Sequence, residues 1–207
     1  MQLILDTANI EKIEDYLRYL PVHGVTTNPS ILSKEKNLNP IKQLNKIREL
    51  IGKDRSLHVQ VVATDFGGIM KDAHKIIDSI DEEIYIKIPV TKEGLKAMKV
   101  LKEEGMNITA TTVYSKVQAF LAMDLEVDYI APYVNRMKNL ELNPNDLIQS
   151  LSNQIEKNNR STKILGASFK NSRQVIRSIE LGAHFVTVST EIIDHFTENY
   201  HTEKAVS

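Results

Sequence analysis

Short runs of strand-forming residues recur along the chain, separated by stretches whose apolar positions keep helical spacing. The runs are "LILDT" from residue 3, "GVTTNP" from 24, "LHVQVV" from 57, "IYIKIPV" from 84, "NITATTV" from 107, "DYIAPYV" from 128, "KILGASF" from 163 and "HFVTVST" from 184. Between them Leu95, Met98 and Leu101, or Val175, Ile176 and Ile179, follow the steps of a helix face. Gly105 and Gly182 stand where helix C-caps belong, and Asn143 and Asn171 where N-caps belong. Strands alternating with helices form parallel βαβ units. Eight units, at roughly 26 residues from strand to strand, predict an α/β fold, a single (β/α)8 TIM barrel near the lower end of its size range. An open doubly wound sheet is the competing arrangement, but no G-x-G-x-x-G or P-loop follows any run.

A barrel carries its chemistry on inward positions at the C-terminal ends of its strands. Those positions are polar here. Asp6 ends strand one, Thr26, Thr27 and Asn28 end strand two, and Gln60 and Lys87 lie on strands three and four. Thr109 and Thr111 follow on strand five, Tyr133 and Arg136 at strand six, and Ser168 and Lys170 at strand seven. Singly, each has an ordinary account. Asp6 suits an N-cap, and Asn28-Pro29-Ser30 suits a helix start. Thr109 and Thr111 are good strand residues, Gln60 suits a backbone partner, and Tyr133 suits a core aromatic with a bonded hydroxyl. Arg136 and Lys170 suit solvated loop charges. Seven successive strands with a polar group at the same end are not covered by those accounts taken one at a time.

Lys87 poses the sharpest question, because Ile84, Ile86, Ile88 and Val90 surround it in "IYIKIPV". An amine there either escapes to solvent or is held in a low-dielectric interior at a large cost in free energy. A free lysine has a pKa of about 10.4, so at neutral pH it is an ammonium ion and not a nucleophile. Bringing it to about 7 takes on the order of 4–5 kcal/mol of destabilisation of the charged form, which burial can supply.

Composition narrows the alternatives. The 207 residues are 42% hydrophobic and 26% charged, with 26 basic and 27 acidic side chains and a net charge of −1. These values suit one well-buried domain, 1–207, and offer no basic stripe for nucleic acid and no polybasic helix for a membrane surface. There is no cysteine, which excludes disulfides, thiolate metal sites and a cysteine nucleophile. The first residues lack the pattern of a signal peptide and no run approaches a membrane span, so a cytoplasmic protein is expected. No His/Asp/Glu cluster has metal-ligand spacing, and His58 is expected to face the opposite side of its strand from Gln60. No metal and no cofactor is expected.

The segments "LILDTANI", "GVTTNPS", "IKIPVT", "APYVNR" and "GASFKNSRQ" resemble, in order and over residues 2 to about 200, the short-chain branch of the transaldolase family. That branch contains fructose-6-phosphate aldolases as well as true transaldolases. The resemblance implies a TIM barrel with a Schiff-base lysine at Lys87. It implies that Asp6 and Asn28 bind substrate hydroxyls, that Asp6 also moves protons, and that Thr111 holds a catalytic water with Gln60 and Tyr133 completing the proton path. Arg136, Ser168 and Lys170 would hold the substrate phosphate, and Thr26, Thr109 and Ala131 would join the substrate-binding positions. True transaldolases carry glutamate where this chain has Gln60 and phenylalanine where it has Tyr133, and serine also occurs among them at Ala131. Gln60, Tyr133 and Ala131 therefore point to an aldolase acting on fructose 6-phosphate, with transaldolase as the alternative.

A catalytically idle sugar-phosphate binder and a phosphosugar isomerase are weaker readings. Binding needs no buried amine, and isomerases usually need a carboxylate base that Gln60 and Thr111 do not provide. The expected partners are a small sugar phosphate and a ketone donor, with no nucleic acid and no membrane. Family resemblance also implies a homo-oligomer, pentameric or decameric. The C-terminus, ending "NYHTEKAVS", reads as a tail shorter than in relatives.

Overall fold

Eight parallel strands close on themselves in chain order. The computed structural model describes residues 1–35, 39–196 and 200–206. The strands are β1 (Gln2–Asp6), β2 (Val22–Thr26), β3 (Ser56–Gln60), β4 (Tyr85–Pro89), β5 (Asn107–Val113), β6 (Tyr129–Pro132), β7 (Lys163–Gly166) and β8 (Phe185–Val188). The main outer helices are α1 (Ile10–Leu17), α3 (Pro40–Ile51), α4 (Phe66–Ser79), α5 (Lys92–Glu103), α6 (Lys116–Asp124), α8 (Pro144–Lys157) and α9 (Ser172–Glu180). Shorter helices α2 (Pro29–Leu32), α7 (Val134–Asn139) and α10 (Thr190–Asp194) lie just after β2, β6 and β8, and α11 (Tyr200–Val206) ends the described chain. Among the described residues no helix is long and apolar enough to cross a membrane. This is the (β/α)8 barrel that the alternation predicts.

Local chemistry explains the helix boundaries. Asn28, Asn39 and Asn143 each cap a helix whose first residue is proline. The amide oxygen accepts an otherwise unpaired N–H, and the ring presets φ where no donor is needed. Ahead of Ser172, Asn171 caps α9 with its amide oxygen, which accepts from the Gln174 amide. Ser115 and Gln118 form a reciprocal capping box at α6. Gly105 and Gly182 follow the ends of α5 and α9 with φ of +83° and +97°, a conformation that glycine adopts without steric penalty.

Strand alternation divides the core in two. Outward residues such as Leu5, Val25, Val59, Ile86, Ile88, Ile108 and Val186 pack beneath the helices in one continuous apolar layer. Inward residues Ile4, Tyr129, Ala131, Tyr133, Leu165 and Ala167 form a second cluster inside the barrel. Ile176 departs from the expected helix face: its neighbour Val175 is buried, while Ile176 is exposed.

His58 also departs from expectation. Residues two apart on a strand share a face, so His58 points to the same side as Gln60, into the barrel. Its ring is fully buried and stacked on Tyr85 at 4.7 Å, with Tyr129 edge-on at 4.9 Å. Nδ1 pairs with Oγ1 of Thr109 at 2.8 Å and Nε2 with Oγ of Ser56 at 2.9 Å. Burial, reinforced by the charges of Lys87 and Arg48, pushes the imidazole well below its usual pKa, so it is a neutral part of the barrel packing.

Candidate active site

The polar ends of the strands converge on one small cavity at the C-terminal mouth of the barrel. Its volume is about 160 Å³, and Asp6, Thr26, Asn28, Lys87, Thr111 and Tyr133 contribute to its wall. Ala131, Arg136, Leu165, Ala167, Ser168 and Thr187 complete it. Larger crevices exist, including one of about 660 Å³ along α9, but outer helix and loop residues line it. The position predicted by the fold, not size, singles out the central cavity.

Lys87 reaches inward from the middle of β4 and is only 5% exposed. Its Nζ donates to the carbonyl oxygen of Thr27 at 2.7 Å, across the intervening strand β3. Burial lowers its pKa, and the negative charge of Asp6 offsets part of that effect. A buried amine with depressed basicity and a fixed direction has what nucleophilic attack on a carbonyl requires.

A hydroxyl pair stands on the adjoining strands. Thr111 Oγ1 lies 3.0 Å from the phenol oxygen of Tyr133, and both residues are buried. Burial raises the pKa of the phenol, while the Thr111 hydrogen bond and the charge of Arg136 pull it back in part. The phenol is therefore neutral, and either hydroxyl can be the donor in its bond with Thr111. The guanidinium of Arg136 sits 4.8 Å from the centre of the Tyr133 ring and is exposed at the rim.

Backbone irregularity aims these groups. The β5–β6 register shifts between Ala110 and Val113, where two residues of β5 pass one of β6. Thr112, in that bulge, has φ of +55°, and Ser168, beyond β7, has φ of +58°. Left-handed backbone at a β-branched residue costs on the order of 1–3 kcal/mol and marks a place held by its surroundings. The Ser168 loop is braced by Gln174, which accepts from the Lys170 amide at 2.7 Å and donates to Asn135 Oδ1 at 3.0 Å.

The family model for transaldolase and fructose-6-phosphate aldolase matches residues 3–207. The chain belongs to that family. A Streptococcus pneumoniae (strain ATCC 700669 / Spain 23F-1) protein described as a probable fructose-6-phosphate aldolase is 44% identical to it over 206 residues, which cover 100% of this chain and 93% of that one.

Against the site expected from the transaldolase family, the placements divide. Asp6, Thr26, Asn28, Lys87, Thr111, Ala131, Tyr133, Arg136 and Ser168 meet at the cavity. Asn28 serves two ends, since its Oδ1 also caps α2 by accepting from the Ile31 amide at 3.0 Å. Asp6 is not a helix cap; Asn9 caps α1. Three expected residues lie outside the cavity wall. Thr109 is buried beneath it with its hydroxyl on His58. Gln60 pairs in register with Lys87, yet it lines a neighbouring crevice with Leu32, Val61 and Val62. Lys170 is exposed and lines a groove with Glu191 and His195.

Other residues at the site carry no signal in sequence reasoning. Thr187, Leu165 and Ala167 are ordinary strand residues, and alternation from Phe185 was the only available pointer to Thr187. The backbone carbonyl of Thr27 has no side-chain signature. Among the described residues no group of three His, Cys, Asp or Glu side chains is arranged to hold a metal ion.

Proposed function

We propose that the protein is a lysine-dependent aldolase that reversibly cleaves fructose 6-phosphate into dihydroxyacetone and glyceraldehyde 3-phosphate. The observation that carries the reading is Lys87: a buried amine of lowered basicity, fixed by one carbonyl, in a cavity shared with a carboxylate and a phenol. Its nitrogen adds to the C2 ketone, and loss of water gives a protonated imine. Asp6 takes the proton of the C4 hydroxyl, the C3–C4 bond breaks, and its electrons flow into the imine to leave an enamine. Glyceraldehyde 3-phosphate departs. Protonation of C3, from Tyr133 through water held by Thr111, restores an imine that water hydrolyses to dihydroxyacetone and free amine. The proton that Asp6 took from the C4 hydroxyl passes back through water to the phenolate, closing the cycle.

The rim supports the choice of substrate. Arg136, exposed beside Ser168, offers a fork of donors to a phosphate outside the small cavity. The cavity volume, equal to the share of about five water molecules, suits the three-carbon end of the sugar. The test is turnover of fructose 6-phosphate alone, with glyceraldehyde 3-phosphate read in a coupled assay and borohydride added in parallel. Cleavage without acceptor and a reduced adduct on Lys87 are expected. Turnover that waits for erythrose 4-phosphate would mean a transaldolase, and an adduct on another lysine, or none, would end the mechanism.

A further inference from the structure

The eighth strand brings to the cavity a group that none of these roles uses. Thr187 on β8 is buried and lines the cavity wall. Its hydroxyl lies 2.5 Å from Oγ1 of Thr26, which donates to Oδ1 of Asp6 at 2.7 Å. Proton counting sets the direction of this chain. A carboxylate only accepts, so the single proton of Thr26 is committed to Asp6. The Thr26–Thr187 contact then takes its proton from Thr187. Donation into Thr26 polarises that hydroxyl toward Asp6, and successive bonds of this kind strengthen one another in a dry interior.

We propose that Thr187 is a positioning residue that holds the Thr26 hydroxyl as a donor to Oδ1 of Asp6, leaving Oδ2 for the substrate. The assignment rests on Asp6 moving the proton in the aldolase reaction. Without the Thr187 hydroxyl, Thr26 loses the donor that fixes its rotamer and polarises its proton toward Asp6, and the contact that orients the carboxylate loosens. A threonine placed only to fill the barrel acts through shape alone, which valine reproduces.

Thr187→Val and Thr187→Ser separate the two. The valine variant is expected to lose about tenfold in kcat for fructose 6-phosphate cleavage, with KM changed less than about twofold. Serine is expected to restore most of the loss. In an Asp6→Asn background, Thr187→Val is expected to cost almost nothing more, because the two residues act as one unit. Equal losses in both backgrounds, or an unchanged kcat, would overturn the proposal. A crystal structure of Thr187→Val reads the same point without substrate: the Asp6 carboxylate is expected to leave Thr26, and an unmoved contact would overturn the proposal. If the wild type fails to cleave fructose 6-phosphate, the aldolase reading fails by itself, and the crystal structure still decides whether Thr187 orients Asp6.

Discussion

Replacing Tyr133 by phenylalanine removes one oxygen atom and little else. The ring keeps its place beneath Arg136 at 4.8 Å and its edge contact with Tyr114 at 5.8 Å, so packing is preserved. What goes is the 3.0 Å hydrogen bond to Thr111, inside the protein. One neutral buried hydrogen bond contributes about 1 kcal/mol, so the folded state should weaken by that amount, or roughly 2–4 °C in a chain of this length. Activity should fall much further. A positioned general acid contributes roughly 10²–10⁴-fold, and because the proposed reaction relays this proton through water the lower end, about 100-fold, is expected for acceptor-free cleavage. Transfer to erythrose 4-phosphate should fall less, because there the enamine is consumed by a new carbon–carbon bond and not by a proton. The assay compares glyceraldehyde 3-phosphate release with and without that acceptor, beside a melting curve. If both rates drop together, Tyr133 is not the proton donor for release. If neither drops, it is a packing residue.

Lys87→Met should abolish turnover and adduct formation, and it should also change how stability depends on pH. The folded-state pKa of Lys87 lies below its unfolded value of 10.5. Wild-type stability therefore rises as pH climbs from the folded pKa to 10.5, where only the unfolded chain still holds the proton. The melting-temperature advantage of the methionine variant should shrink across that window, and a gap independent of pH would mean that Lys87 is not held in a hostile interior. Arg136→Ala should raise KM for fructose 6-phosphate by the loss of roughly 1.5–3 kcal/mol of charge-assisted bonding, with much less effect on an unphosphorylated ketose. An equal penalty on both would make Arg136 a support for the Tyr133 ring.

The fold was legible because its signals are local. Eight runs of β-type residues, capping asparagines before proline and glycines after helices each act within a few residues, and α/β alternation turns them into a barrel. The floor and rim of the site were less legible. His58 and Gln60 share a strand face, yet His58 is fully buried against Thr109 in the barrel packing, while Gln60 is half-buried and borders a neighbouring crevice, not the central cavity. Lys170 follows Ser168, whose positive φ breaks the alternation that would otherwise carry the chain's inward positions forward. Nothing in the letters "GASFK" announces that turn. Thr187 was hidden for the opposite reason: threonine is so ordinary in a strand that its hydroxyl attracts no notice until two short contacts connect it to Asp6.

The balance of charge around Lys87 gives the arrangement its logic in the proposed reaction. Burial alone would favour the neutral amine strongly, but it would equally disfavour the cationic imine that the chemistry must pass through. Asp6 works against burial, raising the basicity of the amine in part, and so concedes some nucleophilicity in the resting site. The same carboxylate stabilises the iminium cation once it forms, and that cation is the electron sink for bond cleavage. A carboxylate free to swing would spread this benefit over resting and reacting states alike. Fixed through Thr26 and Thr187, it is set before substrate arrives and needs no reorganisation as charge develops. On this view the apolar strand that surrounds Lys87 and the polar chain that reaches Asp6 are two halves of one device, the first making the amine reactive and the second making its cation tolerable.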